Sequence, residues 1–285
     1  MSSPEPDKDR VIADLKRQVA KLQAEVAVLQ TANARMNKER IEYLQNVSHQ
    51  LVAPLNAIKW HIENLTSSRI GLDRAKKVLR SIYSQATIAV HLAKNFVFMS
   101  NLEADHSLSA LREPLELVQL DRLLVNLADD FQPLGWNKEI DIHVDTKGFY
   151  NVPDVLAIKP LISQVFSNII ENALKYSKKT SVIEVEGRYV PADDSVVVTI
   201  SNEGIPLEPG EVARIFERGY RTKEATNAYP AGTGFGLYIA KKIMDIHEGS
   251  ILVESPRSGR AVFHVVLFVK KLQGKAREWP KKPSS

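Results

Sequence analysis

The sequence predicts a multi-domain protein of α and α+β class. An N-terminal parallel coiled coil leads into an antiparallel helical hairpin, which forms a four-helix bundle in a dimer. A two-layer α/β sandwich follows. Three observations point there: apolar residues at heptad spacing through the first forty positions, two further helical patterns behind them, and a change of period from Pro114 onward.

The heptads come first. Leu15, Val19, Leu22, Val26, Leu29, Asn33 and Met36 alternate steps of four and three residues, the spacing of a coiled-coil seam. Val19, Val26 and Asn33 share one heptad position, while Leu15, Leu22, Leu29 and Met36 share the other. β-Branched residues opposite leucine, with one buried Asn, favour a parallel two-stranded coil. The phase slips after Met36, because the next apolar residue is Ile41; Leu44, Val47, Leu51, Leu55 and Ile58 then carry the helix through NVSHQLVAPLNAI, where Pro54 predicts a kink. Helix signals stop at SSRIG, residues 67–71. They resume at Val78, Leu79, Ile82, Ala86, Ala89, Leu92, Phe96 and Met99. One such hairpin leaves apolar surface uncovered, and a two-fold pair of hairpins closes it into a bundle.

Beyond Pro114, LELVQ and EIDIHVD read as strands with a helix over 120–132 between them. A long helix follows at 160–175, SVIEVEGRYV and SVVVTIS pair across PADD, and a helix at 235–247 precedes a last hairpin across PRSGR. Strands in mainly antiparallel order with three helices imply two layers. The predicted division is 1–10 disordered, 11–40 coiled coil, 41–106 helical hairpin, 113–269 α/β domain and 270–285 a flexible basic tail.

Composition narrows the function. The chain has 285 residues, 44% hydrophobic and 25% charged, and no cysteine, so disulfides, thiolate nucleophiles and zinc–sulfur sites are excluded. Its formal charge of +4 is concentrated in the tail, where six Lys or Arg and one Glu leave −1 for the remainder. Nucleic acid is therefore not an expected partner. No apolar run approaches the ~20 residues of a membrane helix, and MSSPEPDKDR lacks the pattern of a secretion signal. The expectation is a cytoplasmic protein without a transmembrane segment.

Three stretches carry chemistry. QVFSNIIENALKYS (164–177) sets Asn168 and Asn172 on one helical face; their amide oxygens suit a Mg²⁺ that already carries phosphates. Lys175 suits phosphate, and Tyr176 offers a flat face to a base. In SNEGIPLEP, directly after a strand, Asn202 can accept from an exocyclic amine and Gly204 lets backbone approach a ring. In GTGFGLYIAKKI, Gly232, Gly234 and Gly236 open a helix whose free N–H groups suit a phosphate chain; the spacing is not that of a Rossmann fingerprint.

Taken in this order, the stretches resemble the sensor histidine kinases of two-component signalling, over roughly residues 38–269. SHQLVAPL resembles the family's phosphoacceptor box and QVFSNIIENALKYS its asparagine box. ISNEGIPL, IFERGYR and GTGFGLYIAKKI are similar to the first glycine box, the phenylalanine box and the second glycine box. The resemblance implies that ATP phosphorylates His49, which then passes the group to an aspartate in the receiver domain of a response regulator. It implies Asn172 as main Mg²⁺ ligand with Asn168 assisting. Lys175 and Arg221 are implied to lie on phosphate, Tyr176 on the base and Asn202 on the adenine amine. Gly204, Tyr220, Gly232, Thr233, Gly234, Gly236 and Leu237 complete the implied nucleotide contacts, and 220–232 form a lid. Among the other histidines, His247 in IHEGSI looks structural, and His61, His91, His106, His143 and His264 have no motif around them.

Six positions depart from the family pattern, among them Val52, where Arg is usual, and Pro206, which replaces a glycine and stiffens its loop. Gln50 follows the histidine where an acid is usual; it can orient the imidazole but cannot take a proton, and general-base help is typically worth about 10²–10⁴-fold. Ala53 replaces the Thr or Asn that positions a water for dephosphorylating the partner, so weak phosphatase activity is expected. Asn202 replaces Asp, and Gly219 stands where a second aromatic is common. A dimeric ATP-binding pseudokinase scaffold is the alternative reading, and a homodimeric gyrase-like ATPase the third. No sensor domain is visible, so an upstream domain or partner is expected to deliver the signal.

Overall fold

The computed structural model describes residues 8–67, 71–104, 114–230, 232–254 and 259–269. The predicted disordered start, the basic tail and the PRSGR turn lie wholly or largely outside them. The chain divides into two compact units, residues 1–49 and 50–285.

Helix α1 runs from Lys8 to Ser67 without a break, so neither the phase slip after Met36 nor Pro54 ends it. Pro54 is buried and has no N–H for the carbonyl four residues back, that of Gln50. In the first unit Val19, Leu22, Val26 and Leu29 are 50–68% exposed, an apolar stripe without cover in a single chain. His49 is exposed as well.

The second unit begins at Gln50 and includes α2 (Leu72–Ala104). Burial on α2 inverts the usual order. Ser84, His91 and Asn95 are buried beside Phe98 and Met99, while Leu79, Val90 and Val97 stand exposed. The apolar pattern read from the sequence omits Val90 and Val97, and of its members only Met99 is fully enclosed.

The α/β domain is a mixed five-stranded sheet with helices on it. The strands are β1 (Glu116–Val118), β2 (Asp141–Val144), β3 (Val155–Ala157), β4 (Val182–Val190), β5 (Ser195–Glu203), β6 (Ser250–Glu254) and β7 (Arg260–Phe268). The sheet order is β2-β4-β5-β7-β6, with β2 parallel to β4 and every other pair antiparallel. Strand β1 stands apart and pairs with β3, a three-residue strand that the sequence reading misses because it is too short to show an alternation. Helices α3 (Leu120–Gly135), α4 (Lys159–Tyr176) and α6 (Gly236–Ile246) are those expected; short helix α5 (Lys223–Ala228) lies within the predicted lid.

The reason for the core is legible in composition. Val196, Val198 and Ile200 on β5 are fully buried, as are Ile162, Val165, Phe166, Ile169 and Ile170 on α4 and Ile239, Ala240 and Ile243 on α6. Each such aliphatic or aromatic side chain contributes roughly 1.5–3 kcal/mol by leaving water. Helix α4 packs against both α3 and α6, and its Gln164, Ser167, Asn168 and Glu171 are buried too.

Candidate nucleotide site

Three separated segments meet at one cavity inside the second unit. Helix α4 supplies Asn172, Lys175 and Tyr176, β5 supplies Asn202, and the approach to α6 supplies Gly232, Thr233, Gly234, Gly236 and Leu237. Tyr220, Arg221 and Gln50 line it too. Twelve of the residues singled out from sequence therefore share one space. Asn168 and Gly204 do not line it, and His49 belongs to the other unit.

A Cβ on Gly204 would sit 2.2 Å from the Tyr176 carbonyl oxygen, so the glycine lets the end of β5 pass the end of α4. Ser177 and Gly204 form a bridge there, and Lys178 N–H donates to the Glu203 carbonyl at 2.9 Å. These ties hold Asn202, only 5% exposed, beside Tyr176.

The C-terminus of α4 is capped from a distant segment. Lys138 Nζ donates to the carbonyls of Leu174 and Lys175 at 2.9 and 2.8 Å, and burial lowers its pKa. A cation on the last carbonyls also opposes the helix dipole.

Inside the helix, Glu171 Oε1 lies 3.0 Å from Lys175 Nζ and Oε2 lies 3.2 Å from His91 Nε2. Burial alone would push this carboxyl up, but Lys175 and then His91 override it and hold Glu171 well below the ordinary carboxylate range. Burial likewise works against the Lys175 charge, and Glu171 keeps its pKa above the usual lysine value. The pair delivers a charged lysine to the cavity wall, with Nζ 5.3 Å from the centre of the Tyr229 ring.

Asn168 turns elsewhere. It is 1% exposed, and its Oδ1 accepts from Asn95 Nδ2 at 3.0 Å, with His91 Nε2 also at 3.0 Å. The sequence reading left His91 without a role. Only the spacing of His91 and Asn95, four apart on one helix face, could have marked them.

Arg221 ties together the backbone on either side of Tyr229. Its NH1 donates to the carbonyls of Pro230 and Gly232 at 3.1 and 3.0 Å, and its NH2 to Ala225 at 2.9 Å and to Tyr229. Thr222 caps α5, its Oγ1 accepting from Ala225 N–H at 3.0 Å. A Cβ on Gly232 would come within 2.9 Å of the guanidinium. His247 is indeed structural: Nε2 accepts from Ile158 N–H at 3.1 Å, so Nδ1 carries the proton that reaches the Ile243 carbonyl at 2.8 Å. Burial lowers its pKa.

Among the described residues no group of three or more carboxylate or imidazole side chains is placed to hold a metal alone. A cation in this cavity would share its shell with the phosphates of a ligand and an amide oxygen, a sparse arrangement that magnesium accepts. Asn172 lines the cavity and carries such an oxygen.

A mixed sheet under three helices, with an asparagine helix facing a glycine-rich helix start, defines an ATPase-type nucleotide-binding domain. Residues 157–271 match the family of histidine kinase-, DNA gyrase B- and HSP90-like ATPases. Histidine protein kinase SaeS of Staphylococcus epidermidis is 30% identical over 223 residues, 76% of this chain and 60% of SaeS. Sensor histidine kinase WalK of Bacillus subtilis is 28% identical over 249 residues, 85% of this chain and 39% of WalK. The solved histidine kinase AdeS of Acinetobacter baumannii superposes with a TM-score of 0.51 at 17% identity, over 78% of this chain and 98% of that one, and shares the fold. The chain is thus similar to sensor histidine kinases over most of its length. It spans about three-fifths of the length of the SaeS sequence it matches.

Proposed function

We propose that the protein is an ATP-dependent protein-histidine kinase that phosphorylates itself on His49 and passes the group to an aspartate of a response regulator. The observation that carries this reading is the convergence of Asn172, Lys175, Tyr176, Asn202 and Gly232–Leu237 on one cavity. Asn202 accepts the adenine amine, Tyr176 covers the base and Lys175 neutralises phosphate. The backbone from Gly232 to Gly236, leading into α6, receives the phosphate chain. Arg221 spends both terminal nitrogens on lid carbonyls, but its Nε is buried without an acceptor among the described residues and is the donor left for phosphate. Magnesium, held by Asn172, would neutralise charge on the transferred group.

His49 serves as nucleophile because it is exposed and imidazole attacks phosphorus without a strong base. Gln50 orients and does not deprotonate, so transfer is slow. Ala53, exposed one turn on, offers no hydrogen bond to a water, and phosphatase activity is weak.

The working form is a homodimer. Residues 11–40 form a signalling coiled coil, 41–106 dimerise and carry the phosphoacceptor, and 113–269 bind ATP. The exposed Val19, Leu22, Val26 and Leu29 of α1 and Leu79, Val90 and Val97 of α2 support this, since apolar side chains at heptad-like steps are what a second copy covers. An upstream domain or partner supplies the signal, and the site of action is the cytoplasm.

The test is incubation with γ-labelled ATP and Mg²⁺ beside a His49→Ala control. The expected label is lost in acid, survives base and is absent from His49→Ala. An unlabelled wild-type chain, or equal label on the variant, would sink the reading.

A further inference from the structure

The polar network around Asn168 reaches outside the α/β domain, onto α2. His91 and Asn95 are 4% and 8% exposed, whereas Val90 and Val97 on the same helix are more than half exposed. Hydrophobic docking alone would select the reverse, so polar complementarity chooses the face that α2 presents. The partners match. Asn95 Oδ1 accepts from Gln164 Nε2 at 2.7 Å and from Asn168 Nδ2 at 3.3 Å, and Asn95 Nδ2 donates to Asn168 Oδ1 at 3.0 Å. His91 Nε2 lies 3.0 Å from Asn168 Oδ1 and 3.2 Å from Glu171 Oε2. Its ring stands edge-on to Phe131, centroids 5.8 Å apart. Earlier on α2, Tyr83 donates to Asp130 Oδ1 at 2.8 Å, and Arg80 lies 4.7 Å over the Trp136 ring.

An amide oxygen has two lone pairs, and two groups of α2 already stand on that of Asn168. The same face of α2 takes one oxygen of Glu171, whose other oxygen holds Lys175. We propose that His91 and Asn95 form a latch: α2, while docked, withholds the Asn168 oxygen from a cation beside Asn172, and loading with magnesium and nucleotide releases it. The latch rests on the nucleotide reading above and gives Asn168 two exclusive uses. In the docked form it joins α2 to α4; in the loaded form it assists Asn172. A ligand that needs the released form binds more weakly in proportion to how rarely that form occurs.

The experiment titrates the full chain with fluorescent N-methylanthraniloyl ATP, with Mg²⁺ and separately with EDTA. His91→Leu and Asn95→Leu are expected to bind the Mg²⁺–nucleotide about tenfold more tightly than wild type, with a smaller gain in EDTA because Asn168 acts through the cation. His91→Gln, which retains a donor, is expected to stay near wild type. Hydrogen exchange on the unmodified chain gives a second readout independent of any variant: amides of residues 88–98 are expected to exchange faster once Mg²⁺–ATP is bound. Equal or weaker binding by both leucine variants, or unchanged or slower exchange in α2, overturns the latch. A wild-type chain that binds no nucleotide in either buffer overturns the nucleotide reading itself, and the latch with it.

Discussion

Gly234 and Gly219 meet backbone to backbone. Both have left-handed φ angles, +72° and +73°, and Gly219 N–H donates to the Gly234 carbonyl at 3.2 Å. A Cβ on Gly234 would lie 2.7 Å from the carbonyl carbon and oxygen of Gly219 and 2.8 Å from that of Tyr220. This explains a departure noted in the sequence: a glycine, not an aromatic, precedes Tyr220 because the chain turns left-handed there, and such a turn costs an ordinary L-residue roughly 1–2 kcal/mol. Gly234→Ala meets both the strain and the contact. We expect it to lower stability in urea unfolding by about 2 kcal/mol or more and to abolish nucleotide binding; unchanged unfolding would contradict this geometry.

At the scale of elements, helix α4 is the unit on which the site depends, since it carries Asn168, Glu171, Asn172, Lys175 and Tyr176 within its last three turns. Its end has no side-chain cap of its own, and Lys138 closes it from the segment after α3. Lys138→Met removes two hydrogen bonds from a charged donor and is expected to cost about 2–3 kcal/mol, with weaker nucleotide binding because Lys175 and Tyr176 loosen. A variant as stable as wild type would show that the cap is idle. The helix itself was plain in the sequence, where Ile162, Val165, Phe166, Ile169 and Ile170 repeat at helical spacing around the asparagines. The capping lysine was not, because it comes from 36 residues away and obeys no local pattern. For the same reason the approach of Gly204 to the Tyr176 carbonyl had no local signal, because only the tertiary path of β5 brings the two close. Periodicity reports which side of an element is apolar. It says nothing about which backbone crosses it.

For the whole molecule, α2 has two surfaces: a polar face engaged with α3 and α4, and an apolar one, Leu79, Val90 and Val97, left open. The sequence pattern missed Val90 and Val97 because their neighbours Ala89 and Phe96 fit a helical stripe equally well. Because both valines are exposed in the single chain, Val90→Glu with Val97→Glu should leave the far-UV circular dichroism unchanged and weaken self-association. Sedimentation equilibrium is expected to show a dimer for wild type and a larger monomer fraction for the double variant. Identical association of the two would place the dimer contact elsewhere.

The buried amide and carboxylate pairing between α2 and α4 bears on modularity. Two-part chains of this kind invite recombination, one helical segment exchanged for another in front of the same ATPase domain. Here the seam is keyed. A foreign α2 lacking counterparts of His91 and Asn95 would bury the oxygens of Asn168 and Glu171 without their donors, and an unsatisfied buried polar group costs ~1–3 kcal/mol. Grafts that carry the residues of both helices together should dock; those that carry one side alone should leave the two parts unfastened.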